Sequence, residues 1–348
     1  MARVALTFPF STRAMAWRVV AEDITDLLRS NGCEVRWGDI YTYFSPVGFD
    51  RWISVDGADL QHLSMISAYK LFSKELILYV VAEGKPAGAP FTPVKLYSRI
   101  YTPSRFSRDM LKKWLGVDAE IMPHGINLAK YRNVDENKVR EIRRKYEGKI
   151  LAFYPCFNDP RKNIEFLIKT WCDIAWEVPE AHLLLNTKPI GYWNIPLLLE
   201  KYGKLNPSLE KHVTLTRGSD PIPFSQLLAY YHACDLLIFP SSSEGFGYPV
   251  LEAFSCGKPV LILDTFGVNE LVEDGRTGLV VKTVETYEMP DPYTPGKTFV
   301  MRSPDPVDFI EKTVKLLTDP ALRRRLGRNA RREAEKYDYR RVYKPLIP

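Results

Sequence analysis

Cysteine is scarce in this chain, and several sequence features that would indicate other protein classes are missing. The 348 residues include five cysteines, Cys33, Cys156, Cys172, Cys234 and Cys256. They are scattered without CxxC spacing, which argues against a zinc site and favours buried free thiols. No apolar stretch approaches the ~20 residues of a membrane span, and the N-terminus MARVALTFPF lacks a signal-peptide pattern. We therefore expect a cytoplasmic protein.

Repeats and nucleic-acid signatures are missing as well. The sequence shows no low-complexity stretch and no short-period repeat, which argues against solenoid and disordered classes. It also shows no recognisable nucleic-acid-binding module, so we expect no nucleic-acid partner.

What is present is an alternation of strand and helix patterns. In the first half, strands are predicted at Ala2–Phe10, Glu34–Gly38 and Glu75–Glu83, a helix at Ala16–Ser30, and a strand, turn and helix within Ser98–Gly116. In the second half, KILAFYP, AHLLLNT, HVTLT, CDLLIFP and KPVLILD read as strands separated by helical spacers. With 45% hydrophobic residues, the chain can bury two cores. This order predicts an α/β protein with two parallel sheets that bind ligand at their carboxyl edges.

Glu244 and Glu252 lie eight positions apart where a predicted strand gives way to a predicted helix. The strand is Cys234–Pro240. Gly247 and Pro249 open the helix, and Gly257 closes it. A helix start carries free N–H groups and positive dipole charge, so this turn can seat a diphosphate. One carboxylate can then reach the sugar of a nucleotide sugar while the other reaches ribose hydroxyls.

The same run, EGFGYPVLEAFSCGKPV, resembles the E-x7-E signature of glycosyltransferase family 4 (group 1), retaining enzymes of the GT-B fold. Three further segments resemble the family, and the similarity covers about residues 95 to 281. They are the phosphate turn FNDPRKNIEFLIKTW, the interdomain hinge IMPHGINLAKY and the segment GVNELVEDGRTGLVV, which carries Glu270 and Gly278.

The resemblance implies two Rossmann-like domains with a cleft between them. Residues 1–125 would form the acceptor-side domain and residues 126–335 the nucleotide-sugar-binding domain. Residues 336–348 would return to the N-terminal domain.

The resemblance also implies the reaction and its residues. A glycosyl group would pass from a nucleotide-diphosphate sugar to an acceptor hydroxyl with retention, without a cofactor or a metal. Lys162 would meet the diphosphate and Glu244 would orient the donor sugar. His124 would either line the cleft near the sugar or cap the crossover turn. The remaining predicted nucleotide-binding residues are Glu252, Phe246, Gly247, Tyr248, Pro249, Val250 and Arg161.

Three positions depart from the family pattern. Phe157 stands where the family usually places an arginine, so Arg161, Arg217 or Arg13 would have to supply the second cation. The N-terminal loop Pro9–Met15 lacks the usual glycine pair, although Ser11 and Thr12 offer hydroxyls. Glu83 and Gly84 replace a histidine at the end of a strand, and Glu83 is either an acceptor-binding carboxylate or a surface-turn residue.

The segment from Lys95 to Trp114 is basic. Six bases and one acid lie between Lys95 and Lys113. Such a helix with an interfacial tryptophan could contact an anionic membrane, to which each base contributes ~1 kcal/mol. The alternative is a solvated helix face.

A long segment, Thr283–Pro306, separates two elements that the family commonly joins by only a few residues. Its five prolines and three aromatic residues predict an ordered loop, which either closes over the cleft or is passive. Two other functions remain open: an inactive GT-B binding or scaffold protein, and a nucleotide-sugar isomerase.

Overall fold

A computed structural model describes residues 1–8, 15–39, 48–57, 66–87, 94 and 96–348. The predictions that concern Ser11, Thr12, Arg13 and Lys95 lie outside the described residues.

Six parallel strands of the N-terminal part form one sheet in the order β2-β1-β3-β4-β6-β7. The strands are β1 Arg3–Phe8, β2 Glu34–Asp39, β3 Phe49–Gly57, β4 Ser73–Val81, β6 Arg99–Thr102 and β7 Glu120–Ile121. The helices are α1 Met15–Ser30, α2 Ile66–Phe72 and α3 Arg105–Leu115. The α3 helix begins where the Oγ of Ser104 accepts a hydrogen bond from Ser107 N.

Six parallel strands of the C-terminal part form a second sheet in the order β10-β9-β8-β11-β12-β13. The strands are β8 Ile150–Pro155, β9 Ala181–Asn186, β10 Val213–Leu215, β11 Leu236–Phe239, β12 Val260–Leu263 and β13 Gly278–Val281. The helices are α4 Leu128–Arg132, α5 Glu136–Lys145, α6 Ile164–Glu177, α7 Ile195–Gly203, α8 Phe224–Ala233, α9 Tyr248–Ser255, α10 Pro306–Thr318, α11 Pro320–Ala334 and α12 Tyr339–Val342. The central strands β8, β11 and β12 are buried nearly throughout because helices cover both faces of a parallel sheet.

The end of the chain packs on the N-terminal sheet. Tyr339, Tyr343 and Leu346 share a buried cluster with Val4 and Ile24 of β1 and α1. The Gly125 N–H donates to the Tyr343 hydroxyl at 2.8 Å. The division at residues 125 and 335 stays a prediction, since these contacts do not fix a boundary.

The α/β class and the two parallel sheets are confirmed, and the predicted loop at Thr283–Pro306 differs from expectation. Residues 283–304 form a β-hairpin rather than a loop, with strands β14 Thr283–Pro290 and β15 Thr298–Pro304. The hairpin gains order because β15 pairs with β5, Gly84–Lys85, which follows β4 of the N-terminal sheet. In the part of the chain that the structure describes, no helix is both long and apolar enough to cross a bilayer.

Candidate active site

Two close contacts require glycine, one at Gly247 in the turn between β11 and α9 and one at Gly267, which follows β12 and packs against that turn. Gly247 has φ 94° and precedes the helix, and an added Cβ there would lie 2.6 Å from the Val268 Cγ2. Gly267 packs so closely that a Cβ would lie 2.2 Å from the Glu244 carbonyl oxygen. These contacts fix the backbone that carries Glu244. Pro249, the second residue of α9, has no N–H to leave unsatisfied in the first turn.

Glu244 lies between two cations. Its Oε1 accepts hydrogen bonds from the Lys162 ammonium and from Ser241 Oγ, the latter at 2.6 Å, and lies 3.1 Å from Arg161 Nη1. Burial alone would raise the pKa of this carboxyl, but Lys162 and Arg161 outweigh burial and lower it. Glu244 is therefore an ionised, buried carboxylate.

Lys162 reaches Glu244 from the carboxyl end of β8. A short 3-10 turn over Pro160–Lys162 follows that strand, and Asp159 caps it by accepting from Arg161 N at 3.1 Å. The Tyr154 hydroxyl donates to the Lys162 carbonyl at 2.7 Å. The ammonium is thus placed by a rigid turn, with 8% of its side chain exposed.

Arg161 connects Glu244 to the N-terminal half. Its Nη2 lies 3.2 Å from Glu83, which follows β4, and its Nη1 donates to the Ser243 carbonyl at 2.9 Å. Burial opposes the charge of Arg161, but Glu83, Glu244 and Asp159 outweigh it and raise the arginine pKa. Glu83 is therefore a paired, largely buried carboxylate and not a surface-turn residue.

Glu252 has a separate set of partners. Its Oε1 accepts from the Tyr131 hydroxyl at 2.6 Å and its Oε2 from the Tyr231 hydroxyl at 2.7 Å. Burial raises the pKa of Glu252, and the two tyrosine hydrogen bonds oppose that rise only in part. Sequence reasoning did not identify this tyrosine pair.

His124 lies where β4 meets the loop before α9. Its Nδ1 is 2.7 Å from the Tyr79 hydroxyl, and its ring meets Phe246 edge-on at 4.8 Å. Burial lowers the pKa of His124 to about 3, so the imidazole is neutral at physiological pH. His124 thus contacts the loop before α9 through Phe246. Its two predicted roles, lining the cleft near the sugar and capping the crossover turn, stay predictions.

The predicted residues at the start of α9 are buried. Phe246, Tyr248 and Val250 have at most 5% of their surface exposed. The Tyr248 hydroxyl donates to the Gly125 carbonyl at 3.4 Å, and the Pro249 carbonyl accepts from Tyr231 at the same distance. These side chains brace the turn, and the part of these residues in nucleotide binding stays a prediction.

The N-terminal half also forms hydrogen bonds with the loop that carries Glu244. Ser104 Oγ donates to the Gly245 carbonyl at 2.6 Å, and Ser243 Oγ donates to the Glu83 carbonyl at 3.1 Å. Glu270 accepts from the backbone N–H groups of Arg105 and Phe106, both at 3.0 Å. The carboxyl edges of both sheets therefore meet at Glu244.

Residues 148–319 match the family described as Glycosyl transferases group 1. The C-terminal half of this chain is a group 1 glycosyltransferase domain. The chain is 30% identical over 239 residues to a D-inositol 3-phosphate glycosyltransferase of Streptomyces bingchenggensis, covering 66% of this chain and 48% of the relative. It is 27% identical over 194 residues to a Methanocaldococcus jannaschii glycosyltransferase, covering 54% and 46% respectively. The matched regions thus span about half the length of these relatives.

Solved structures show the fold of the whole chain. Sucrose-phosphate synthase from Thermosynechococcus elongatus superposes with TM-score 0.72 at 17% identity, covering 99% of this chain and 97% of that one. Anabaena HepE, solved in complex with UDP and glucose, superposes with TM-score 0.72 at 15% identity, covering 99% and 98%. The fold is GT-B.

The departure at Phe157 and two of the arginines predicted to compensate for it can now be located. Phe157, at the usual arginine position, contacts the ring of Tyr293 at 6.3 Å between centroids, so the hairpin covers it. Arg161 is the predicted alternative cation that contacts Glu244. Arg217 instead donates to the Ser219 carbonyl at 3.1 Å.

Among the residues that the structure describes, no cluster of three or more histidine, cysteine, aspartate or glutamate side chains could hold a metal ion. The cysteines are free thiols, and all but Cys156 are buried.

Proposed function

We propose that this protein transfers a glycosyl group from a nucleotide-diphosphate sugar to an acceptor hydroxyl, with retention of anomeric configuration. The observation that carries the proposal is the Glu244 carboxylate held between Lys162 and Arg161 at the start of α9. Anabaena HepE, which shares the fold, was solved with UDP-glucose, and this supports a donor of that class.

Binding of the donor requires an exchange of partners. Lys162 and Arg161 already form ion pairs with Glu244, so a bound diphosphate must replace the Glu244 carboxylate as their partner. The freed Glu244 carboxylate then accepts from hydroxyls of the donor sugar. Positive charge from the cations and the α9 helix start stabilises the departing diphosphate, and such preorganised charge is usually the largest catalytic term.

The reaction breaks the bond from the sugar C1 to the diphosphate oxygen. The acceptor oxygen bonds to C1 on the same face, and the acceptor proton leaves with the diphosphate. Burial lowers the pKa of His124 to about 3, which makes its imidazole a weak base, so we assign it hydrogen bonding near the sugar rather than proton transfer. We assign charge neutralisation to protein groups, so the proposal involves no metal.

Glu252 remains our proposed ribose contact. Each carboxylate oxygen has a second lone pair beyond the one that accepts from a tyrosine, so two hydroxyls of a ribose can still donate to it.

The test is a screen of UDP-, GDP- and ADP-sugars by melting temperature, followed by product analysis with candidate acceptors. We expect the nucleotide sugars of one base, uracil, guanine or adenine, to raise the melting temperature of the protein. Transfer from that donor to an acceptor should release the nucleoside diphosphate. Binding without turnover in any acceptor mixture would favour a scaffold protein. A new nucleotide sugar without release of nucleoside diphosphate would favour an isomerase.

A further inference from the structure

The hairpin of β14 and β15 contacts both halves of the protein beside the proposed donor site. On one side, Thr298 and Phe299 pair with Lys85 and Gly84, and Val300 N donates to the Glu83 carbonyl at 3.3 Å. The close fit is visible at Gly84, where a Cβ would lie 2.1 Å from the Thr298 carbonyl oxygen.

On its other side the hairpin is fastened to the C-terminal sheet. Arg302 N donates to the Ser242 carbonyl at 3.0 Å, two residues before Glu244. The Arg302 guanidinium also donates to the Asp264 carbonyl at 2.8 Å. The hairpin is therefore held against the loop that carries Glu244.

Lys297, in the turn that leads into β15, extends the ion-pair network of the site. Its Nζ lies 3.7 Å from the Glu83 carboxylate and 3.4 Å from Asp291. Lys297 Nζ and the Arg161 guanidinium both lie over the Phe299 ring, at 4.8 and 5.6 Å from its centroid. Lys297 and Arg161 thus share Glu83, and only 16% of either side chain is exposed.

We propose that Lys297 is a positioning residue of the donor site: it holds Glu83, and thereby leaves Arg161 free to bind the diphosphate of the donor. This inference rests on the proposed function. In the structure, Arg161 faces three carboxylates, on Glu83, Glu244 and Asp159. A diphosphate that binds Arg161 must displace at least one of them.

Displacing Glu83 is costly without another cation, because an unpaired buried carboxylate loses its counter-ion in a medium that solvates charge poorly. Lys297 already lies beside Glu83 and can close the remaining distance as Arg161 turns to the ligand. Without Lys297, Glu83 would retain Arg161.

The experiment uses calorimetry with UDP, GDP and ADP and with the matching nucleosides, on the full chain. We expect Lys297→Met to weaken binding of the accepted diphosphate about tenfold while nucleoside affinity stays unchanged. Lys297→Arg should restore the affinity. Lys282→Met, an exposed lysine at the base of the hairpin, is the matched control. Melting temperatures verify that each variant is folded.

A double variant tests the route through Glu83. If Lys297 acts by holding Glu83, Lys297→Met should have little effect in a Glu83→Gln background, because the Glu83 carboxylate that Lys297 holds no longer competes for Arg161. A full loss in that background would show direct contact with the ligand and overturn the positioning role. Unchanged diphosphate affinity in Lys297→Met, or an equal loss for the nucleoside, would also overturn it. A wild type that binds none of the three diphosphates would overturn both this inference and the proposed donor, whereas the preceding outcomes leave the donor standing.

Discussion

Glu244 and Glu252 are chemically identical, yet their surroundings shift their pKa values in opposite directions. Both are buried, which favours the neutral acid in each case. Glu244 faces two cations, which outweigh burial, whereas the hydrogen bonds to Glu252 come from the uncharged Tyr131 and Tyr231. The partners, rather than the depth of burial, therefore decide the direction in which each pKa moves.

Lys162→Ala tests the diphosphate contact. We expect turnover to fall about 10²–10³-fold, because one charged donor to the leaving group is lost. Binding of nucleoside diphosphate should weaken far more than binding of nucleoside, as measured by calorimetry. Lys169→Ala, an exposed lysine on α6, is the control and should change neither quantity. Similar losses for both ligands would place Lys162 away from the diphosphate.

Replacement of Glu252 tests two roles at once. Glu252→Ala removes the carboxylate acceptor of two buried tyrosine hydroxyls and leaves Tyr231 only the Pro249 carbonyl at 3.4 Å, which should cost about 1–3 kcal/mol for each hydroxyl and lower the melting temperature. Glu252→Gln keeps one oxygen acceptor and should melt closer to wild type. If the carboxylate also binds ribose, the glutamine variant should bind nucleoside severalfold more weakly, as measured by calorimetry. A folded Glu252→Gln protein with wild-type nucleoside affinity would leave Glu252 a purely structural role.

At the scale of elements, local patterns predicted the strand–turn–helix units well. The turn after β11 and the turn after β8 were found because glycine, proline and apolar runs act over short distances. The β3 strand was missed because Asp50, Arg51 and Asp56 interrupt its apolar pattern. Their charges are accommodated only in the fold, where Arg51 pairs with Glu75 and Lys74 with Asp50.

Contacts between distant segments could not be predicted in the same way. Tyr131 lies 121 positions from Glu252, and Lys297 lies far along the chain from Glu83. No spacing rule connects such residues, because their approach depends on how the two sheets and the hairpin pack. The E-x7-E glutamates, Lys162 and Arg161 were therefore accessible from sequence, whereas the tyrosines that hold Glu252 and the lysine beside Glu83 were not.

The basic helix α3 remains our proposed membrane contact. Arg108 and Lys112 pair with Asp109 and Asp118 at 2.9 and 2.6 Å, and the Trp114 indole nitrogen is buried. These pairs reduce the free charge of the helix, so we expect weak binding to vesicles rich in phosphatidylserine and none to neutral vesicles.

Removing two of these bases provides the test in vesicle co-sedimentation. Arg108→Ser with Lys113→Ser should weaken vesicle binding about thirtyfold, since each of the two bases contributes ~1 kcal/mol. Arg324→Ser with Arg328→Ser, on α11, removes equal charge elsewhere and should have little effect. Equal weakening by both pairs of substitutions would mean that the net charge of the protein, and not α3, attracts it to the vesicles. If the wild type does not bind, α3 is a solvated helix face.

At the scale of the whole molecule, one buried acid lies where the two halves join. Asp23 of α1 accepts from the backbone N–H of Asn127, which caps α4. Burial raises its pKa to about 7, and neighbouring Lys130 opposes that rise only in part. The folded protein therefore keeps a proton on Asp23 between about pH 4 and pH 7, whereas the unfolded chain releases it.

This proton makes stability depend on pH. Because the folded state binds this additional proton in that range, the contribution of Asp23 to the free energy of unfolding should fall as pH rises from about 4 to 7 and then level off. Asp23→Asn removes the titration while keeping an oxygen that can accept from Asn127. We expect the variant to melt about 2 °C or more above wild type at pH 8, and much closer to it at pH 5. Asp173→Asn, an exposed residue on α6, should shift neither melting curve. A gain of equal size at both pH values would mean that packing, and not the charge of Asp23, limits stability at this junction.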